Sequence, residues 1–204
     1  MKLLGRLSSI NVRKVAWTLD ELGIAYARED WGTGFRDPRT PDYLALNPNA
    51  QIPTLIDGDF TLWESNTIIR YLANAYGDDA FFPADPRRRA RLEQWIDWQA
   101  TDLNSAWRVA FPALARGQIA DPNAVAASVS TWNEKIALLD AHLATSGPYL
   151  CGETFTLGDV VTALSLHRWL CTPMTRPKLV AAESYYARMR ERATFLPYAL
   201  PDVP

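Results

Sequence analysis

Cysteine and histidine are scarce in this chain of 204 residues, with two of each. Cys151 and Cys171 form neither a CxxC pair nor a zinc-ligand group, which argues against a disulfide framework or a thiolate-built metal centre. They read as ordinary thiols in a reducing compartment. His142 and His167 have no nucleophile or ligand spacing beside them and are expected to be structural. Long apolar runs are missing too. Even residues 160–170 are interrupted by His167 and Arg168 and fall short of the roughly 18 residues a membrane span requires. The first six residues turn polar too soon for a signal peptide, so the expected location is the cytoplasm. Charge of one sign is also lacking, with a net charge of −2 and a pI of about 5.7. No protein-wide attraction to nucleic acid or anionic lipid follows, and the expected partners are small molecules or proteins. There are no repeats or low-complexity tracts.

What is present is enough for a packed core, with 48% hydrophobic residues in a length that suits one large domain or two small ones. Residues 2–6 form a short apolar strand candidate. Val12, Val15, Ala16, Leu19 and Leu22 then recur at helical spacing, with Gly23 as the stop. Residues 24–29 read as a second strand, completing a βαβ unit. Asp57-Gly58-Asp59 between two strand patterns, 54–57 and 60–63, is a hairpin signal. An amphipathic helix follows from Ser65 to Gly77. Residues 78–86 are acidic and contain proline, which marks a linker. Beyond it strand signals nearly vanish: residues 87–114, 123–143, 157–171 and 176–192 are helical patterns, predicting an all-α bundle over 87–204. Thr156-Leu157-Gly158-Asp159 carries the spacing of a capping box, with Phe155 and Val160 as a hydrophobic staple, and is assigned to folding.

Two segments carry chemistry. The first is Asn47-Pro48-Asn49-Ala50-Gln51-Ile52-Pro53-Thr54, followed by Leu62-Trp63-Glu64-Ser65-Asn66. If Pro53 is cis, the Ile52 amide and carbonyl turn outward, and such an edge pairs with a ligand's main chain. The alternative is a loop proline opening an edge strand. The second is Ser8-Ser9-Ile10-Asn11-Val12-Arg13-Lys14-Val15, which puts hydroxyls where a helix N-terminus favours an anion. Either these serines serve a ligand thiolate or they simply cap the helix.

Together these segments resemble the cytosolic glutathione S-transferase family, in its bacterial, serine-type, phi/theta-like form. The resemblance is strongest over residues 1–77. It implies an α/β thioredoxin-like domain of order βαβαββα over 1–77, then an all-α helical bundle. It implies an enzyme with glutathione as cosubstrate and no metal, conjugating the thiolate to small apolar electrophiles in detoxification. A glutathione-dependent peroxidase or disulfide reductase, or a non-catalytic interaction module, are the alternatives. The family's serine maps to Ser9, with Asn11 as second choice and Ser8 third, and no tyrosine lies in the first strand. Glu64 would meet the γ-glutamyl ammonium, Ser65 the adjoining carboxylate, and Ile52 the cysteinyl main chain. Gln51 matches the glutamine beside Pro53, and Arg39, with Arg36 as substitute, would meet the glycyl carboxylate. Leu7, Trp107, Arg108 and Phe111, with Trp31, would line the electrophile pocket. Family members are typically homodimers, and Arg87, Arg88, Arg89 and Arg91 would then meet Glu93 or Asp97 of a second subunit; otherwise they are a solvated face.

Overall fold

A computed structural model describes residues 1–200. The chain divides into two compact units, Met1–Phe82 and a second that begins at Pro83.

The first unit runs β1 (Lys2–Leu4), α1 (Ile10–Glu21), β2 (Ala27–Glu29), α2 (Pro41–Leu46), β3 (Thr54–Asp57), β4 (Phe60–Trp63) and α3 (Ser65–Tyr76). Its sheet has the order β2-β1-β3-β4. β1 pairs in parallel with β2, Lys2 opposite Ala27, and antiparallel with β3, Leu4 opposite Thr54. The hairpin places Asp57 opposite Phe60, and Gly58 turns it at φ 60°, a conformation that costs glycine nothing. The apolar stripe of α1 is fully buried at Val12, Val15, Ala16 and Leu19, as are Ile68, Ile69 and Leu72 of α3. These helices pack on each other, and each valine, leucine or isoleucine side chain buried this way stabilises the unit by about 1.5–3 kcal/mol. β2 is shorter than the pattern over 24–29, because Ile24 closes α1 instead, donating its N–H to the Leu19 carbonyl.

The named elements of the second unit, among the described residues, are all helices. The pattern over 87–114 predicts one helix, and the structure breaks it. α4 (Pro86–Trp98) passes into a π-helical stretch (Gln99–Leu103), a single turn α5 (Asn104–Ala106) and then α6 (Ala110–Arg116). Pro112 is the reason: it has no N–H to donate, and restarting the helix at Ala110 puts it in the first turn, where none is needed. Ser128 of α7 (Pro122–Ser146) bridges the break. Its hydroxyl donates to the Ala106 carbonyl at 2.6 Å and accepts from the Ala110 N–H at 3.1 Å. α8 (Leu157–Cys171) is buried from Leu157 through Trp169, its polar residues Asp159, Thr162, Ser165, His167 and Arg168 included. α9 (Val180–Arg190) starts four residues later than the sequence pattern suggests, since Pro177 disfavours helical geometry at Arg176.

The capping box at the start of α8 is built on a fully buried acid. Asp159 accepts from the Thr156 N–H at 2.8 Å and hydroxyl at 2.9 Å, from the Leu150 N–H at 2.8 Å and from the Tyr185 hydroxyl at 2.9 Å. Burial raises its carboxyl above the ordinary aspartate value, and these four donors oppose the rise. Both histidines are spent on carbonyls, His142 on Leu150 at 2.7 Å and His167 on Leu200 at 3.0 Å.

Candidate functional site

The site is built around the loop between α2 and β3. Asn47, almost fully buried, donates its amide to the Gln51 carbonyl at 2.9 Å and to the Thr54 hydroxyl at 3.2 Å. Its side-chain oxygen accepts from the Asn49 N–H at 3.0 Å, an Asx turn. The Tyr43 hydroxyl donates to the same Gln51 carbonyl at 2.6 Å and lies 3.0 Å from the Thr54 hydroxyl. Burial holds the Tyr43 phenol above its ordinary value, so it stays protonated and remains a donor. These bonds fix the Gln51 backbone from inside the unit. Ala50 adopts φ 52°, and the Ile52–Pro53 peptide bond is cis. Pairing of β3 with β1 begins only at Thr54, so Ile52 stands outside the sheet. Gly5 brings the loop against the start of α1: a Cβ there would lie 2.5 Å from Val12 Cγ2 and 3.3 Å from Ile52 Cβ.

Gln51, Ile52 and Pro53 share a cavity of about 210 Å³ with Glu64, Ser65, Asn11, Asn47, Asn49 and Trp63. Glu64 precedes α3 at φ 72°, ψ 109°. Such a backbone costs on the order of 1–3 kcal/mol for a residue with a side chain and is found mainly at functional positions. The strain directs Glu64 to the cavity while Ser65 begins the helix, whose unpaired N–H groups attract a carboxylate.

A second cavity, of about 380 Å³, adjoins the first through Gln51 and Ile52 and is lined by Arg6, Thr33, Asp37 and Arg39 among others. Arg39 is fixed by its backbone, its N–H donating to the Asp37 carboxylate at 2.9 Å. Arg36 is committed elsewhere: it pairs with Glu29 at 2.9 Å and lies over the Trp31 ring at 5.6 Å. Trp31 in turn packs on Tyr43, ring centroids 4.8 Å apart.

At the start of α1, Ser9 occupies the N-cap position with extended backbone, yet its hydroxyl makes no bond to the helix. The expectation that both serines cap the helix therefore does not describe Ser9. The Ser8 hydroxyl accepts from the Arg6 guanidinium. Asn11 is exposed and is the one described residue of α1 lining the smaller cavity.

This arrangement offers a main-chain edge, an acid beside a helix N-terminus, an arginine at the far end and hydroxyls on the first turn. Residues 1–74 match the family model described as Glutathione S-transferase, N-terminal domain. Glutathione S-transferase GstB of Escherichia coli (strain K12) is 37% identical over 197 residues, covering 93% of this chain and 93% of that protein. The chain belongs to the glutathione S-transferase family. Glutathione S-transferase 3 of Zea mays is 35% identical over 193 residues, covering 91% of this chain and 85% of that protein. The solved structure of the theta class glutathione S-transferase from the citrus canker pathogen Xanthomonas axonopodis pv. citri, with glutathione bound, superposes with a TM-score of 0.92. It is 37% identical and covers 98% of this chain and 96% of that chain.

As in other glutathione S-transferases of this fold, the first unit carries the thioredoxin-like order and the second is helical. Of the residues expected at an electrophile pocket, Leu7 is half-buried on the β1–α1 connection and Arg108 is exposed. Trp107 and Phe111 are almost fully buried. The Arg168 guanidinium lies 5.3 Å from the Trp107 ring and 4.0 Å from that of Phe111, and Trp107 packs on Trp132 at 5.5 Å. Sequence reasoning missed Tyr43, Thr54 and Arg6. Among the described residues no His, Cys, Asp and Glu group could hold a metal ion, and no described helix is long and apolar enough to cross a membrane. Neither cysteine is in a disulfide, and the Cys151 thiol is pushed up to about 12, by desolvation first and the Asp159 charge second.

Proposed function

We propose that this chain is a glutathione transferase that joins the glutathione thiolate to small apolar electrophiles. The observation that carries the proposal is the cavity in which Gln51, Ile52, Pro53, Glu64 and Ser65 meet Asn11. The cysteinyl main chain pairs with Ile52 and the γ-glutamyl ammonium meets Glu64. Its carboxylate takes the Ser65 hydroxyl and the N-terminus of α3. Arg39 takes the glycyl carboxylate.

This grip brings the sulfur to the first turn of α1, where the unbonded Ser9 hydroxyl donates to it. A hydrogen bond to a charged group contributes about 1.5–3 kcal/mol, enough to lower the thiol pKa by roughly one to two units and make thiolate a major species at neutral pH. The thiolate's electron pair forms the C–S bond, and the leaving group departs with the electrons of the bond it breaks. The chain contributes orientation of the reactants and stabilisation of the sulfur anion. Asn11 is the second candidate donor because it lines the cavity. Leu7, on the connection that leads to Ser9, stays in the proposal as an electrophile contact. We further propose a cytoplasmic homodimer that acts in detoxification, Arg87, Arg88, Arg89 and Arg91 meeting acids of a second copy.

Immobilised glutathione should retain the wild-type protein, and chlorodinitrobenzene with glutathione should yield a thioether. Glu64→Gln, which removes the charge and keeps the shape, should weaken glutathione binding by about 10- to 100-fold. A wild-type protein that is not retained, or equal binding by Glu64→Gln, would contradict the proposal.

A further inference from the structure

The larger cavity contains a cation that the proposed grip does not use. Arg6, on the β1–α1 connection, lines it together with Arg39, Thr33, Gln51 and Ile52. Its backbone is pinned at both ends, the N–H donating to the Trp31 carbonyl at 3.2 Å and the carbonyl accepting from the Ser9 N–H at 3.1 Å. The side chain therefore springs from a fixed point. One arm of the guanidinium donates to the Ser8 hydroxyl, a neutral partner, while the buried Nε has no hydrogen-bond partner. Space for it comes from Gly32, at φ 101°, where a Cβ would lie 3.4 Å from Arg6 Nε and 3.0 Å from Ile52 Cδ1. A charged guanidinium held at a fixed point of a cavity wall is suited to a carboxylate, which accepts from a planar fork.

Resting on the reading of the site as a glutathione grip, we propose that Arg6 is a second recognition residue for the glycyl carboxylate, acting with Arg39. The Gln51–Ile52 segment, shared by both cavities, carries the cysteinyl main chain in that reading. The tripeptide's glycyl end then extends into the cavity that Arg6 and Arg39 line. Arg6 thus selects the full tripeptide over its glycine-blocked or glycine-lacking forms.

Calorimetric titration of wild type, Arg6→Ala and Arg6→Gln with glutathione and with its glycyl monoethyl ester tests this. Thermal unfolding of each variant checks that it is folded, and the glutamine variant retains length if the alanine variant does not fold. For glutathione, both substitutions should raise Kd by about tenfold or more. For the ester, which lacks the carboxylate charge, they should change Kd by less than about twofold, and wild type should itself prefer glutathione over the ester by about tenfold. Equal losses for both ligands, or no loss for glutathione, would overturn the assignment of Arg6 while leaving the glutathione site standing. A wild-type protein that binds neither ligand would instead overturn the reading of the site itself.

Discussion

Asp57 closes the β3–β4 hairpin onto α3 through two phenols. The Tyr71 and Tyr76 hydroxyls each donate to its carboxylate at 2.7 Å. They hold its carboxyl below the ordinary aspartate value, Tyr76 contributing most and Tyr71 next. The folded state therefore binds fewer protons than the unfolded chain as pH falls past that ordinary value. The clasp stabilises the first unit fully at neutral pH and loses its effect as pH drops through the lowered folded-state value. Asp57→Asn should reduce stability to urea at pH 7 modestly, as the carboxyl is near the surface, and should flatten the acid limb of the stability profile. An acid limb identical to wild type would contradict the clasp. The same scale shows what a sequence conceals. Gln51, Ile52, Pro53, Glu64 and Ser65 stand within two short motifs, and the structure brings them to one cavity. Tyr43 lies outside both motifs and acts through a backbone carbonyl and a hydroxyl of the first. The Tyr43 phenol reaches the Gln51 carbonyl eight residues away, and no local pattern marks such a partner.

Among the elements, those with clean punctuation were legible. α1 ends next to Gly23, which takes φ 64°, and the hairpin turns at Gly58. α8 spans Leu157–Cys171, the range its hydrophobic pattern gives. The helix pattern over 87–114 misled because periodicity does not sense a proline whose missing N–H is accommodated by restarting the helix. The repair comes from α7, through Ser128. Both backbone groups it satisfies belong to residues that are almost fully buried, Ala106 and Ala110. Ser128→Ala should therefore destabilise the second unit by about 1–3 kcal/mol, the cost of leaving buried polar groups unpaired. Chemical denaturation would measure it, and a loss below about 0.5 kcal/mol, the range of ordinary surface substitutions, would show that the bridge carries no weight.

At the scale of the whole chain, the division of labour follows composition. The first unit brings Ser8, Ser9, Asn11 and the proposed tripeptide grip but no cysteine, and both cysteines lie in the second. The nucleophile in this account arrives with the substrate, and the protein's part is to stabilise its anion beside α1 while the proton leaves to solvent. The most direct measurement is an ultraviolet difference titration of the thiolate of bound glutathione against pH, in wild type and in Ser9→Ala. The account predicts a thiol pKa in the wild-type complex roughly one to two units below that of free glutathione, returning most of the way in the variant. A bound thiol that titrates like the free tripeptide in wild type, or a lowered value unchanged by Ser9→Ala, would contradict it.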